Sequence, residues 1–185
     1  MAHLSKNEFQ PLGIAVLTVS DTRTPDTDTS GQLLVDKLQS AGHQLADRAL
    51  VIDDIWQIRA RVSQWIADAG VQVVLVTGGT GFTARDNTPQ AVEPLLDRHV
   101  DGFGELFRHV SLTEIGTSAL QSRALAGISN GTLVCCLPGS PNACRTAWDK
   151  ILGEQLDSRT GPCNFVAHLK AALGDQPRAH CAPRS

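Results

Sequence analysis

No apolar run in the sequence approaches the roughly 18 residues that a bilayer crossing requires, and Met1 to Gln10 lacks the apolar stretch of a secretory signal. The chain has no excess of positive charge: 16 basic against 19 acidic residues leave a formal net charge of -3. A nucleic-acid partner is therefore not expected, because neutralising a phosphate backbone takes a basic face. The five cysteines include no Cys-x-x-Cys pair, and the six histidines form neither a His-Glu-x-x-His helix nor a His/Cys cluster. Transition-metal sites are set aside on that ground, and the cysteines read as reduced, buried thiols of a cytoplasmic protein. No internal repeat, low-complexity tract or linker divides the 185 residues. One domain over residues 1–173 is expected, followed by a polar, disordered tail over 174–185.

What is present is an alternation of short apolar runs with amphipathic stretches. Leu12 to Val19 reads as a buried strand that ends in the turn formers Ser20-Asp21-Thr22-Arg23-Thr24-Pro25. Asp28 or Ser30 then caps a helix carrying Leu33, Leu34 and Leu38, closed by Gly42. A strand near Ala46 to Ile52 leads to Asp53-Asp54 and a helix with Ile55, Ile58, Val62, Trp65 and Ile66 at helical spacing. The third strand is Val71 to Thr77. Continuous Val/Leu strands joined by amphipathic helices specify a parallel sheet covered on both faces, with function in loops at the strand C-terminal ends. Thr88-Pro89 reads as a cap and first helical residue, with Pro94 ending that helix early. Gly102 to Thr113 forms a further helix. Asn130-Gly131 between two apolar runs predicts a type I′ hairpin and one antiparallel pair. A long final helix follows Pro138-Gly139-Ser140-Pro141. The expected architecture is a three-layer α/β/α domain with a mostly parallel sheet.

Thr77-Gly78-Gly79-Thr80-Gly81 is the most informative loop, since its three glycines let backbone amides approach an anion without Cβ clashes. It also reads as an ordinary tight turn. The spacing Gly79-x-Gly81-x-x-Ala84 meets a relaxed dinucleotide fingerprint, but Arg85-Asp86-Asn87 precede the next helix, and Gly-Lys-Ser/Thr is absent, which excludes a Walker A loop. Asp53 and Asp86 follow adjacent strands and are candidates to share Mg²⁺ above the sheet edge. Capping of the next helix is the competing role for Asp53, and an Asx-turn for Asp21. Arg123 is a candidate partner for a phosphate or for a surface carboxylate. The Pro138 to Pro141 loop offers amides to an anion, or serves as a stiff connector.

Taken in order, these residues resemble the molybdenum cofactor biosynthesis proteins of the MoaB/MogA family, most closely the MoaB branch. The resemblance covers Leu12 to about Leu169. It rests on Thr18-Val-Ser-Asp-Thr-Arg23, Asp28-Thr-Ser-Gly31, Thr77-Gly-Gly-Thr-Gly81, Arg85-Asp86, Gly102-Phe-Gly-Glu105, Ser122-Arg123-Ala124 and Leu137-Pro-Gly-Ser-Pro141. The stretches Glu114-Ile-Gly-Thr117, Ala143-Cys-Arg-Thr-Ala-Trp148 and Pro162-Cys-Asn-Phe165 point to the branch. The resemblance implies a homo-trimer or homo-hexamer that binds molybdopterin, a pterin dithiolene with a terminal phosphate. It also implies, for active members, adenylylation of that phosphate from ATP with Mg²⁺. Carried over by position, it places the important acids at Asp53 and Asp86. Nucleotide and pterin contacts fall at Asp21, Ser30, Thr80, Ser122 and the loop Pro138, Gly139, Ser140 and Pro141. Gln90 departs from the family's usual acidic residue.

Such chemistry suits a site without a catalytic histidine, because a phosphomonoester is already ionised at neutral pH and needs no general base. The alternative is a catalytically silent oligomer that holds or delivers the pterin. A dinucleotide-dependent oxidoreductase rests on the glycine spacing alone. An oligomer is further expected from the apolar stripe Phe103, Leu106, Phe107 and Val110, which reads equally as a core face.

Overall fold

The computed structural model describes residues 8–170; the expected tail at 174–185 lies outside them. A six-stranded sheet in the order β2-β1-β3-β6-β5-β4 forms the middle layer. Strands β1 (Gly13–Val19), β2 (Gln44–Val51), β3 (Val73–Thr77) and β6 (Thr132–Leu137) run parallel. Strand β5 (Leu125–Ser129) pairs antiparallel with β6 through the hairpin at Asn130 and Gly131, whose φ angles of 49° and 72° are those the Asn-Gly pair was expected to supply. A two-residue strand β4 (Arg98–His99) adds antiparallel to β5 at the edge. Two residues are too few to show the period-2 pattern by which a strand is recognised.

Helices α1 (Thr29–Ser40), α4 (Asp101–Ile115) and α5 (Pro141–Ala147) cover one face, while α2 (Ile55–Ala67) and α3 (Thr88–Val92) cover the other. Side chains alternate across the pleat, so Ile14, Val16, Val73, Leu75, Leu133 and Cys135 meet α1, α4 and α5. Ala15, Leu17, Val74, Val76, Val134 and Cys136 meet α2 and α3. Adjacent Cys135 and Cys136 thus belong to opposite layers, and burial pushes the Cys135 thiol up to about 12. Cys144 is also buried, but Cys163 is exposed, contrary to the expectation of uniformly buried thiols. No helix among the described residues is long and apolar enough to cross a membrane.

Local signals explain most element ends. Asp28, not Ser30, caps α1 by accepting from the Gly31 amide, and Gly42 closes its C-terminal turn at φ 91°. Thr88 is the first residue of α3 rather than its cap; Asn87 precedes it without a side-chain cap bond. The helix gives way to a 3₁₀ turn at Glu93–Leu95 around Pro94. The expected long final helix is interrupted: α5 passes into a π-helical turn at Trp148–Leu152 before the short α6 (Gly153–Gln155). That wider turn brings Trp148, Ile151 and Leu152 all into the core.

The carboxylate of Asp28 is the polar centre of this fold. Its Oδ2 accepts from Thr18 Oγ1 at 2.7 Å and from Arg48 at 2.9 Å, and its Oδ1 accepts from Gly31 N at 2.9 Å. Arg23 lies 3.5 Å from Oδ1 and extends to Ser30 Oγ and the Gly139 carbonyl. Burial by itself would raise Asp28, but the Gly31 amide, Arg48 and Thr18 outweigh it and hold the carboxyl below its ordinary value. Such a group contributes stability above the ordinary carboxylate range and loses it as pH falls through the lowered value. We therefore expect Asp28→Ala to lose at least about 2 kcal/mol, from the stranded arginines and the lost cap. Urea denaturation at neutral pH checks this, and a loss below about 0.5 kcal/mol would show the network to be dispensable.

Candidate functional site

Strands β1, β3 and β6 end side by side, and their following loops meet at one rim of the sheet. Gly78 donates to the Leu137 carbonyl, joining the turn after β3 to the turn after β6. A Cβ on Gly78 would lie 2.2 Å from the Val19 carbonyl oxygen, so glycine is needed for this close approach as well as for its φ of 101°. Against this rim opens a cavity of about 400 Å³, walled by the glycine turn, by α4 with the turn after it, and by the start of α5.

The cavity gathers Gly79, Thr80, Gly81, Asp86, Ser122, Pro138, Gly139 and Ser140 from the residues expected in the sequence. The amides of Gly79, Thr80, Gly139 and Ser140 have no acceptor among the described residues. Two loops distant in sequence thus bring residues with unpaired N–H donors to one cavity, an arrangement that suits a phosphate. Ser140 also caps α5 through its hydroxyl, which accepts from Ala143 N at 3.1 Å.

Other expected residues stand behind this wall rather than in it. Arg123 makes no ion pair with a carboxylate among the described residues: its Nε donates to the Thr80 carbonyl, and its Nη2 donates to the carbonyls of Gly81 and Asp86. With Phe82 beneath its guanidinium, Arg123 closes the glycine turn into a fixed loop. Ser30 is fully buried, its hydroxyl donating to Gly139 O at 2.8 Å and accepting from Arg23. It positions the second loop. Asp21 accepts from the Asp53 amide at 3.0 Å and pairs with Arg85 at 2.7 Å, bracing the segment that carries Asp53. Gly78 and Pro141 shape the turns without lining the cavity. Gln90 is exposed and also outside it, its carbonyl accepting from Arg59.

The strands that precede Asp53 and Asp86 are not adjacent as expected, because β1 lies between β2 and β3, and the two aspartates differ in environment. Helix capping does not explain Asp53, because Asp54 caps α2 by accepting from Trp56 N and Gln57 N. Asp53 is buried, and its Oδ1 accepts from Asn87 N at 3.0 Å. Burial first, then the charges of Asp21 and Asp86, raise its carboxyl above the ordinary value despite the Asn87 bonds. A Cβ on Gly79 would lie 2.5 Å from both Asp53 Oδ2 and Thr88 Oγ1, and Gly79 has φ 63°. Thr88 Oγ1 is buried with no hydrogen-bond partner. An unpartnered hydroxyl and a carboxylate oxygen therefore flank one small gap that only glycine leaves open. Asp86 is more exposed, and its Oδ2 accepts from Thr83 N at 2.8 Å and from Thr83 Oγ1 at 2.6 Å. The Thr83 hydroxyl leads the interactions that lower its carboxyl. Asp86 thus has structural work in closing its turn, which the sequence argument did not anticipate.

Sequence reasoning also missed one wall of the cavity. Ser111, Glu114, Ile115, Ser118 and Gln121 line it from α4 and the turn beyond, with Asn142 and Thr146 facing them from α5. The spacing of Ser111 and Glu114 at i, i+3 was an available signal, since it puts two polar side chains on one helical face. Of the apolar stripe on α4, Phe103 and Phe107 are buried and Val110 packs against the same core, while Leu106 is 45% exposed. The stripe is mainly a core face.

Comparison with known proteins shows the family of the chain. A family model described as "Probable molybdopterin binding domain" matches residues 15–158. The chain is 58% identical over 163 residues to molybdenum cofactor biosynthesis protein B of Escherichia coli K12, covering 88% of this chain and 96% of that protein. Among solved structures, a molybdenum cofactor biosynthesis protein B superposes with TM-score 0.77 at 44% identity, covering 80% of this chain and 92% of that one. The tungsten cofactor synthesizing protein MoaB from Pyrococcus furiosus gives TM-score 0.70 at 35% identity, covering 78% and 92%.

Asp53→Asn keeps an acceptor for the Asn87 amide while removing a charge that its surroundings disfavour. Because the folded carboxyl is raised, its contribution to stability is complete at low pH and is lost as pH rises through the raised value. At neutral pH the variant should melt at or above the wild-type temperature, and the difference should close as the wild type takes up its proton on acidification. Melting curves across that range are the check; a clearly lower melting temperature for the variant at neutral pH would contradict the assignment.

Proposed function

Since the chain belongs to the molybdenum cofactor biosynthesis family defined by the molybdopterin-binding domain, we propose that it adenylylates molybdopterin in this cavity at the expense of ATP. The observation that carries the reading is the set of unpaired amides from the Gly79 and Gly139 loops, placed beside an aspartate whose charge is raised in cost first by burial and then by its acidic neighbours. A terminal phosphate oxygen of molybdopterin would attack the α-phosphorus of ATP, forming a P–O bond while the α–β bridge breaks and pyrophosphate leaves. No protein base is required, because the attacking phosphate is already ionised. The amides hold the reacting phosphates in place, and Arg123 and Ser30 hold the loops that carry them through hydrogen bonds to their carbonyls.

The residues at Asp53 suit Mg²⁺ in chemistry. They offer a carboxylate oxygen and an unpartnered hydroxyl, both hard oxygen donors, next to amides that suit phosphate. Asp53, with Asp86 beside it, would hold the ion, which when bound offsets repulsion between the phosphates. Among the described residues no group of three or more His, Cys, Asp or Glu side chains gathers for a metal, so phosphates and water would complete the coordination. That sparse donor set, and the engagement of Asp86 by Thr83, favour a second reading in which the protein holds or delivers molybdopterin without turnover.

Transfer of label from α-³²P-ATP to molybdopterin by the purified protein, measured against Mg²⁺ concentration, separates the two. We expect transfer by the wild type, and a fall of at least about a hundredfold in Asp53→Asn, near 2.7 kcal/mol of transition-state stabilisation. Asp86→Asn should also fall, and the double variant by less than the product of the two. Pterin binding without label transfer by the wild type would establish the carrier reading.

The same protein is proposed to act in the cytoplasm as a homo-trimer or homo-hexamer. Support comes from the exposed apolar side chains Leu112, Ile115 and Leu120 at the end of α4 and the turn after it, with exposures of 51%, 50% and 82%. Light scattering at micromolar concentration should give three or six chain masses, and a monomer would refute the assembly.

A further inference from the structure

The polar side of α4 carries a feature that phosphate binding does not use. Glu114 lies in the last turn of α4, where no basic side chain accompanies it and where the helix dipole disfavours a negative charge. It makes no ion pair among the described residues. Its side chain is nevertheless held in one orientation: Oε2 accepts from Thr146 Oγ1 at 2.7 Å and from Asn142 Nδ2 at 3.2 Å. All three residues line the cavity, and Oε1 has no partner among the described residues. Glu114 is exposed to solvent at the cavity's edge, and an oriented carboxylate oxygen there, uncompensated by a cation, disfavours phosphate and suits a ligand that donates hydrogen bonds.

The geometry points to Glu114 as the residue that reads the amino edge of the pterin, an inference that rests on the molybdopterin assignment above. A 2-amino-4-oxopteridine presents the 2-amino group and N3–H side by side, two donors in one plane, as a guanidinium does to a carboxylate. Glu114 Oε1 accepts the 2-amino group. N3–H approaches the same carboxylate, where the longer Asn142 bond is the one that yields. The ligand is thereby oriented, with its donor edge on α4 and its phosphate at the amides of Gly79 and Thr80. Adenine, whose amino group adjoins a ring acceptor rather than a second donor, makes a poorer match to the carboxylate.

The test uses the intrinsic fluorescence of two stable probes, 6-hydroxymethylpterin monophosphate and its 2-deamino-2-oxo analogue, titrated with wild type, Glu114→Gln and Thr146→Val. We expect the wild type to bind the pterin at least tenfold tighter than the oxo analogue. Glu114→Gln should lose at least tenfold for the pterin and less than twofold for the analogue and, by titration calorimetry, for ATP, with an unchanged melting temperature. Thr146→Val, which frees the carboxylate from one of its two holds, should lose a few-fold in the same ligand-selective way and provides the check should Glu114→Gln fold poorly. Equal losses for both pteridines would show Glu114 to be only a brace between α4 and α5, and a selective loss for ATP would assign it to adenine; either overturns the inference alone. A wild type that binds neither pteridine overturns the molybdopterin assignment together with it.

Discussion

Asp28 ties together four segments that the chain would otherwise leave independent. Thr18 belongs to β1, Gly31 to α1, Arg48 to β2, and Arg23 to the loop that reaches Gly139. A carboxylate taken out of water needs its lone pairs filled, and this one fills them with groups from each segment. The consequence extends to the cavity, because Arg23 and Ser30 both end on the Gly139 carbonyl and so set the position of the second amide loop. The first amide loop is held from the other side by Arg123. Arg23 and Arg123 therefore shape the backbone of the two loops and leave the amides of Gly79, Thr80, Gly139 and Ser140 unpaired among the described residues.

The aspartates follow a similar division. Asp21 braces Asp53, Asp54 caps α2, and Asp86 closes its own turn through Thr83. Asp53 alone is buried with an oxygen left over, next to the gap made by Gly79 and the unpartnered Thr88 hydroxyl. Its raised proton affinity has the form seen at functional positions, where local stability is lower than an amide or apolar side chain would allow.

Much of the architecture was legible in residues close together along the chain. The apolar runs marked the strands, the Asn130-Gly131 pair marked the hairpin, and Gly42 and Pro94 marked helix ends, because each acts through φ restriction or local periodicity. The edge strand Arg98–His99 and the π-helical turn at Trp148–Leu152 were not, since one is too short for a pattern and the other arises from packing three large side chains into the core. The family resemblance likewise rested on contiguous motifs, and the match of the family model to residues 15–158 bears out the family.

By itself the sequence determined the three-layer fold, the glycine turn and the family, all carried by near neighbours in the chain. Only the tertiary structure decided what each polar side chain does. Arg123 was a candidate for phosphate contact by its charge and Ser30 a candidate for ligand contact through the family resemblance, yet their hydrogen bonds run to carbonyls 43 and 109 residues away. Glu114 gained an orientation only when Thr146 came within 2.7 Å across 32 residues. A hydrogen-bonding group has fixed capacity, and which partner fills it depends on distances that the chain does not possess until its layers have packed.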